Sequence, residues 1–165
     1  LHDYAAANPY FEQSGRLYGE VLDLDGVAHA RHYAGYVALA EQNYPRAVAY
    51  LKESLQLWQA VGFVNFMILA LAALGEVARR QGDLQQAARL YGAAANFDSL
   101  VVASVSIVER IGYVQMMAAA QAQRTNPIFA AAWEAGQQMS LAQAVEEALT
   151  ITAHASRVDW LAAAA

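Results

Sequence analysis

The chain contains no cysteine in its 165 residues. That excludes disulfides and thiolate metal sites, and it suits a reducing compartment such as the cytoplasm. Charge is scarce: 15% of residues, against about 25% in an average domain. Lysine and arginine form no block, and the net charge is −5 with a pI near 5.2. The electrostatic footprint of a nucleic-acid or anionic-membrane binder is therefore missing. No apolar run is long enough to span a bilayer, and Phe63 to Gly75 reads as a buried helix. Glycine-rich phosphate loops, GxGxxG and nucleophile elbows are absent. No basic segment opens the chain, so no signal peptide is expected, and a start at Leu1 reads as a piece of a longer protein.

What is present is 58% hydrophobic, much of it alanine, the best helix former and one that lets helices approach closely. The length implies one domain with a sizeable core. One stretch recurs. Ala34 to Leu55, a helix, a tight turn and a second helix, is followed forty residues later by Leu74 to Ala95. Gly35 falls on Gly75, Val37 on Val77, Ala38 on Ala78, Ala47 on Ala87 and Leu51 on Tyr91; forty residues earlier, Ala7 falls on Ala47 and Phe11 on Leu51. A period of this size means stacked helix pairs.

The pattern predicts a helix from His2 to about Asp23, interrupted or started by Pro9. A turn over Asp23–Gly26 follows, with Asp25 as N-cap of a helix reaching Gln42. Asn43 and Pro45 open the next helix, which ends at Gly62. Helices are expected over Val64–Arg80 and Leu84–Asn96, with Gly82-Asp83 between them and Phe97–Ser99 as a connector. One long helix is then expected from Leu100 to Gln123, with Val101, Val105, Val108, Ile111, Met116 and Ala119 inward. Asn126-Pro127 starts a short helix carrying Phe129 and Trp133, and Ser140 caps a last one. The repeat domain is expected over 1–150, with 151–165 a tail or linker.

Gly35, Ala47 and Leu51, spaced +12 and +16, and their counterparts Gly75, Ala87 and Tyr91, resemble the tetratricopeptide repeat. The period of forty and Gln42 in place of a turn glycine depart from its pattern. The closing segment, Phe129 to Leu141 and on to Leu149, is similar to the end of the repeat region in LuxR-type regulators and related large signal-transduction ATPases. The resemblance implies an all-α, right-handed superhelix: two full repeats, a half repeat before them and a helical cap after. It further implies a non-catalytic, cytoplasmic module that recognises a protein or peptide partner, including other domains of a parent chain, or alternatively a sugar-like effector. No cofactor, metal, membrane or direct nucleic-acid contact is expected.

In such repeats the first helices line a concave groove. Carried over, the positions put His29, His32, Tyr36 and Leu39 there from one helix, and Glu76, Arg79 and Arg80 from the next, joined by Leu69 and Ala72. The residues agree: His29, His32 and Tyr36 form one stripe at i, i+3 and i+7, suited to hydrogen bonding a polar partner. Other constellations are weaker. His29-x-x-His32 lacks a third metal ligand, Glu146-Glu147 reads as a solvated helix face, and Glu109-Arg110 fits a groove end or an internal ion pair equally well. Phe129 and Trp133 read as a cap closing the last repeat, and Met116-Met117 as a core or interface pair. The half repeat lacks its first helix, so Tyr4, Phe11 and Tyr18 are expected to stay partly open and to drive a two-fold homodimer.

Overall fold

The computed structural model describes residues 4–107 and 110–153. Within them the protein is a stack of helices with no strand. In order these are α1 (Tyr4–Glu20), α2 (Leu24–Ala40), α3 (Tyr44–Val61), α4 (Val64–Gln81), α5 (Leu84–Asn96), α6 (Asp98–Ser104), α7 (Ile111–Ala122), α8 (Pro127–Gln137) and α9 (Leu141–Thr150), with a 3-10 turn at Gln123–Thr125. Each of α1 to α5 packs on its successor, giving a helical-repeat solenoid. The helix α4 lies at the centre, and every residue from Met67 to Ala78 is buried.

The turns show why the chain folds here. Gly62 and Gly82 sit in the left-handed region, at φ 79° and 89°, and Leu22 and Gln42 hold the equivalent positions forty residues earlier at φ 59° and 60°. Gln42 thus does the work of the turn glycine at some backbone cost. Asn43 accepts from the Arg46 amide, and Asp83 from that of Gln86. For α2 the cap is Asp23, which accepts from Gly26, and not Asp25. Asp25 lies in the first turn, where its carboxylate accepts the Trp58 indole N–H at 3.2 Å.

The expected helix from Leu100 to Gln123 is two helices, and the expected connector is the start of α6. Between Val101 and Ile107 the chain is dominated by β-branched residues and serines, weak helix formers. The Ser104 hydroxyl donates back to the Leu100 carbonyl, and Val105 is extended. The break turns the inward face as well: Val101 and Val105 are buried, but Ile111 and Ala119 are exposed. Val108 and Glu109 lie outside the described residues, as do 154–165.

The last helices fold back on the stack. α8 packs on α5, and α9 touches α3, α4 and α5. Arg89 holds Glu147 with two nitrogens at 2.6–3.0 Å, and Lys52 donates to the Leu149 carbonyl at 2.6 Å. Ile151 is buried, and Gln81 reaches the Thr152 carbonyl. At the other end Phe11 is partly exposed, with its ring stacked on Tyr33 at 5.5 Å. The exposed large apolar residues there are Tyr10, Leu17, Tyr18, Val21, Leu22 and Leu24. The side chain of Tyr4 is not among those described.

Candidate recognition groove

The first helices α2 and α4 form one face of the stack, and α7 lies against it. Gly112 of α7 sits over the Tyr36 ring, where an added Cβ would be 3.5 Å away. What remains is a cavity of about 510 Å³ lined by Tyr36, Leu39, Ala40, Glu76, Arg79, Arg80, Gly112, Gln115, Met116 and Ala119. Five of the nine expected groove residues line it, and Leu69 and Ala72 are instead buried in the core. The α7 wall was not foreseen. Its signal was the absence of any charged residue from Ile111 to Gln123, which is foreign to a solvated surface helix.

The two histidines stand behind the groove. His29 packs edge-on against Phe66 and Trp58, with Nδ1 3.0 Å from the Asp25 carbonyl oxygen. His32 is 3% exposed, wedged against Tyr36 and Trp58, and neither ring nitrogen has a hydrogen-bond partner. Both belong to the packing between α2, α3 and α4, because the same stripe faces Trp58 of the paired helix. Burial, with His29 beside it, pulls the His32 pKa down to about 3, so it is neutral.

A solution prediction follows. His32 binds no proton in the folded state at pH 5, whereas the unfolded chain binds one below its ordinary value of 6.5. Stability should therefore fall as pH drops from 6.5 towards 3, by about 2 kcal/mol between pH 7 and 5. Urea unfolding at the two pH values measures it. His32→Leu should remove most of the difference, and an unchanged difference would contradict the burial of a neutral ring.

The polar floor of the cavity is built on Glu76, which is 4% exposed. Arg79 grips it with Nε and Nη2 at 2.6 and 2.7 Å, Arg80 Nε donates at 2.7 Å, and the buried Tyr91 hydroxyl donates at 2.6 Å. Burial pushes the Glu76 pKa up, but the hydrogen bonds from Arg79, Tyr91 and Arg80 outweigh it and hold it at about 2. Arg80 also donates to the Leu39 carbonyl, tying α4 to α2. Two guanidiniums share one carboxylate, so the floor carries one net positive charge in an acidic chain. The Tyr36 hydroxyl is shut off from solvent and has no partner. Burial, with Tyr33 nearby, holds its pKa well above the ordinary phenol value, so it keeps its proton.

The remaining sequence candidates are placed as follows. Phe129 and Trp133 are buried, with Trp133 stacked on Tyr91 at 6.4 Å, closing the last pair. Glu147 is half-buried and paired with Arg89, and Glu146 is exposed. Among the described residues no three His, Asp or Glu side chains could hold a metal, and no helix is long and apolar enough to cross a membrane.

Residues 26–98 match the family model described as tetratricopeptide repeat. The match covers the two helix pairs α2–α3 and α4–α5 and leaves α7 to α9 outside it. No curated protein and no solved structure matches the chain significantly.

Proposed function

We propose that these two helix pairs of the tetratricopeptide kind make a non-catalytic protein–protein interaction module, the sensor or scaffold segment of a cytoplasmic bacterial signal-transduction or transcriptional regulatory protein. Repeats of this kind generally mediate protein–protein interaction. The observation that carries the reading is the cavity between α2, α4 and α7. It joins the half-buried Tyr36 ring, two guanidiniums and the Gln115 amide to an apolar wall of Leu39 and Met116. Such a mixture suits a peptide or a helix edge from a partner, including another domain of a parent chain. The regulatory setting is supported by the likeness of the closing segment to that of LuxR-type regulators. Self-association of the isolated chain as a homodimer belongs to the same reading, with Tyr10, Leu17, Tyr18 and Val21 as one open apolar surface for it.

A second reading, a sugar-like small effector, draws on the cavity size, which falls in the range of small-molecule sites, and on the Gln115 amide and the two guanidiniums in its lining.

The test is to select binders from a displayed peptide library and titrate them calorimetrically. Gln115→Ala combined with Ala119→Glu, both at exposed positions of the cavity lining, should leave melting nearly unchanged and weaken binding about tenfold, or 1.4 kcal/mol. Substituting the exposed Gln56 and Gln59 of α3 by alanine should change nothing. The reverse pattern would move recognition to the outer helices. Binding of a sugar panel, with no peptide selected, would favour the second reading.

A further inference from the structure

The helix α7 lies over the first-helix face along one narrow stripe. Gly112, Gln115, Met116 and Ala119, spaced i, i+3, i+4 and i+7, all line the cavity above Tyr36 and the Glu76 floor. Two of the four are small and one is polar, so Met116 alone lays a large apolar side chain on the groove. Gln115 and Ala119 stay exposed even there. A helix held in place by burial would carry a wider apolar stripe on that face. In the whole of α7 only Tyr113 and Ala120 are buried.

The side-chain bonds that hold α7 lie on its adjacent face, towards α5 and α6. The Tyr113 hydroxyl donates to the Asp98 carboxylate of α6 at 2.9 Å and reaches the Ala94 carbonyl of α5 at 3.5 Å. Arg110, the residue before α7, donates to the Val102 carbonyl of α6 at 2.8 Å. Among the described residues no hydrogen bond or ion pair joins α7 to α2 or α4. The helix is thus tied along one edge, and along the other it rests by packing alone. Closure also has a cost at the untied edge. A Cβ on Gly112 would lie 3.5–3.8 Å from the Tyr36 ring and hydroxyl, and that hydroxyl is shut off from solvent without a partner. In an open groove water would satisfy it.

We propose that α7 is an in-chain lid that competes with the partner for the face made by α2 and α4. This role rests on the reading that recognition happens in the groove, and it adds that the chain itself holds the groove partly shut. Swinging about the Tyr113–Asp98 edge lifts Gly112 and Met116 and uncovers the Tyr36 hydroxyl, which an acceptor on the partner then meets. The partner binds only the open fraction, so its apparent affinity is the intrinsic one reduced by that fraction. By the same linkage a bound partner holds α7 away from the stack.

Hydrogen exchange read by mass spectrometry, on the chain alone and with a library-selected peptide, tests this. Alone, the α7 amides should exchange at least about tenfold faster than those of the buried run Met67 to Ala78 in α4. Equal protection of the two helices would overturn the lid. With peptide bound, α2 and α4 amides should slow and α7 amides should exchange faster still. Slowing of all three together would keep the groove as the recognition site and overturn the lid. No slowing in α2 and α4 would remove the groove reading and the lid with it. Met116→Ala gives an independent check, because it removes the one large apolar side chain that α7 lays on the groove. It should leave α4 exchange unchanged and raise peptide affinity about threefold or more by enlarging the open fraction. A fixed wall would instead lose a contact and bind the peptide more weakly, and that result would overturn the lid.

Discussion

Gly136→Ala is expected to cost about 3 kcal/mol or more, although alanine is the better helix former. Gly136 of α8 and Gly92 of α5 bring the two helix backbones into direct contact. A Cβ on Gly136 would run into the Arg89 carbonyl, and one on Gly92 into that of Trp133. Both obstacles are backbone and cannot rotate away as a side chain could. The helix α8 must lift, which pulls Trp133 from its stack on Tyr91. For a chain of this size that is a drop in melting temperature of roughly 6–12 °C. Gly19 is the control: it is helical in α1, and a Cβ there meets nothing within 4 Å. Gly19→Ala should therefore stabilise by up to about 1 kcal/mol. If Gly136→Ala melts like Gly19→Ala, α8 is not docked on α5 in this way.

Glu76→Gln is expected to lose a similar amount, about 3 kcal/mol. The volume is kept, but the shared carboxylate of two arginines is gone and the buried Tyr91 hydroxyl loses its charged acceptor. The cost is held down because Arg79 and Arg80 are partly solvated, with side chains 26% and 38% exposed. The acid profile gives an independent check. Because the folded pKa of Glu76 is lowered from 4.5 to about 2, its contribution is present above pH 4.5 and lost as pH falls from there through 2. That window overlaps the one set by His32 between pH 4.5 and 3, whereas the range from pH 6.5 to 4.5 belongs to His32 alone. Glu76→Gln should therefore reduce the slope below pH 4.5 and leave the slope between pH 7 and 5 unchanged. A variant as stable as wild type would mean that Glu76 is not the anchor of the groove floor.

The repeat was legible because its residues act locally. Gly35, Ala47 and Leu51 meet within one helix pair, and Asn43 and Gly82 cap or end helices within a few positions. The same forty-residue register shows in the turns, where Leu22 and Gln42 adopt the backbone of Gly62 and Gly82. The less legible parts depend on distant neighbours. Nothing in the spacing of His29 and His32 tells that Trp58 and Phe66 enclose them, so a packing stripe looked like a binding stripe. Glu76 looked like one more groove residue, because its bond to Tyr91 joins two helices. The break between α6 and α7 was written in a β-branched run that apolar periodicity alone reads as helix. Gly92 and Gly136, forty-four positions apart, show their role only when α8 lies on α5.

The central claim is that recognition happens where α2, α4 and α7 meet. Amide chemical-shift mapping of the isotope-labelled chain, titrated with a library-selected peptide, tests it most directly. The largest shifts should fall on Tyr36, Leu39, Ala40, Arg79, Arg80 and Gln115, around the one cavity floor. Shifts confined to Gln56 and Gln59 of α3 and to the outer surface of α8, with the α2, α4 and α7 amides unmoved, would contradict it.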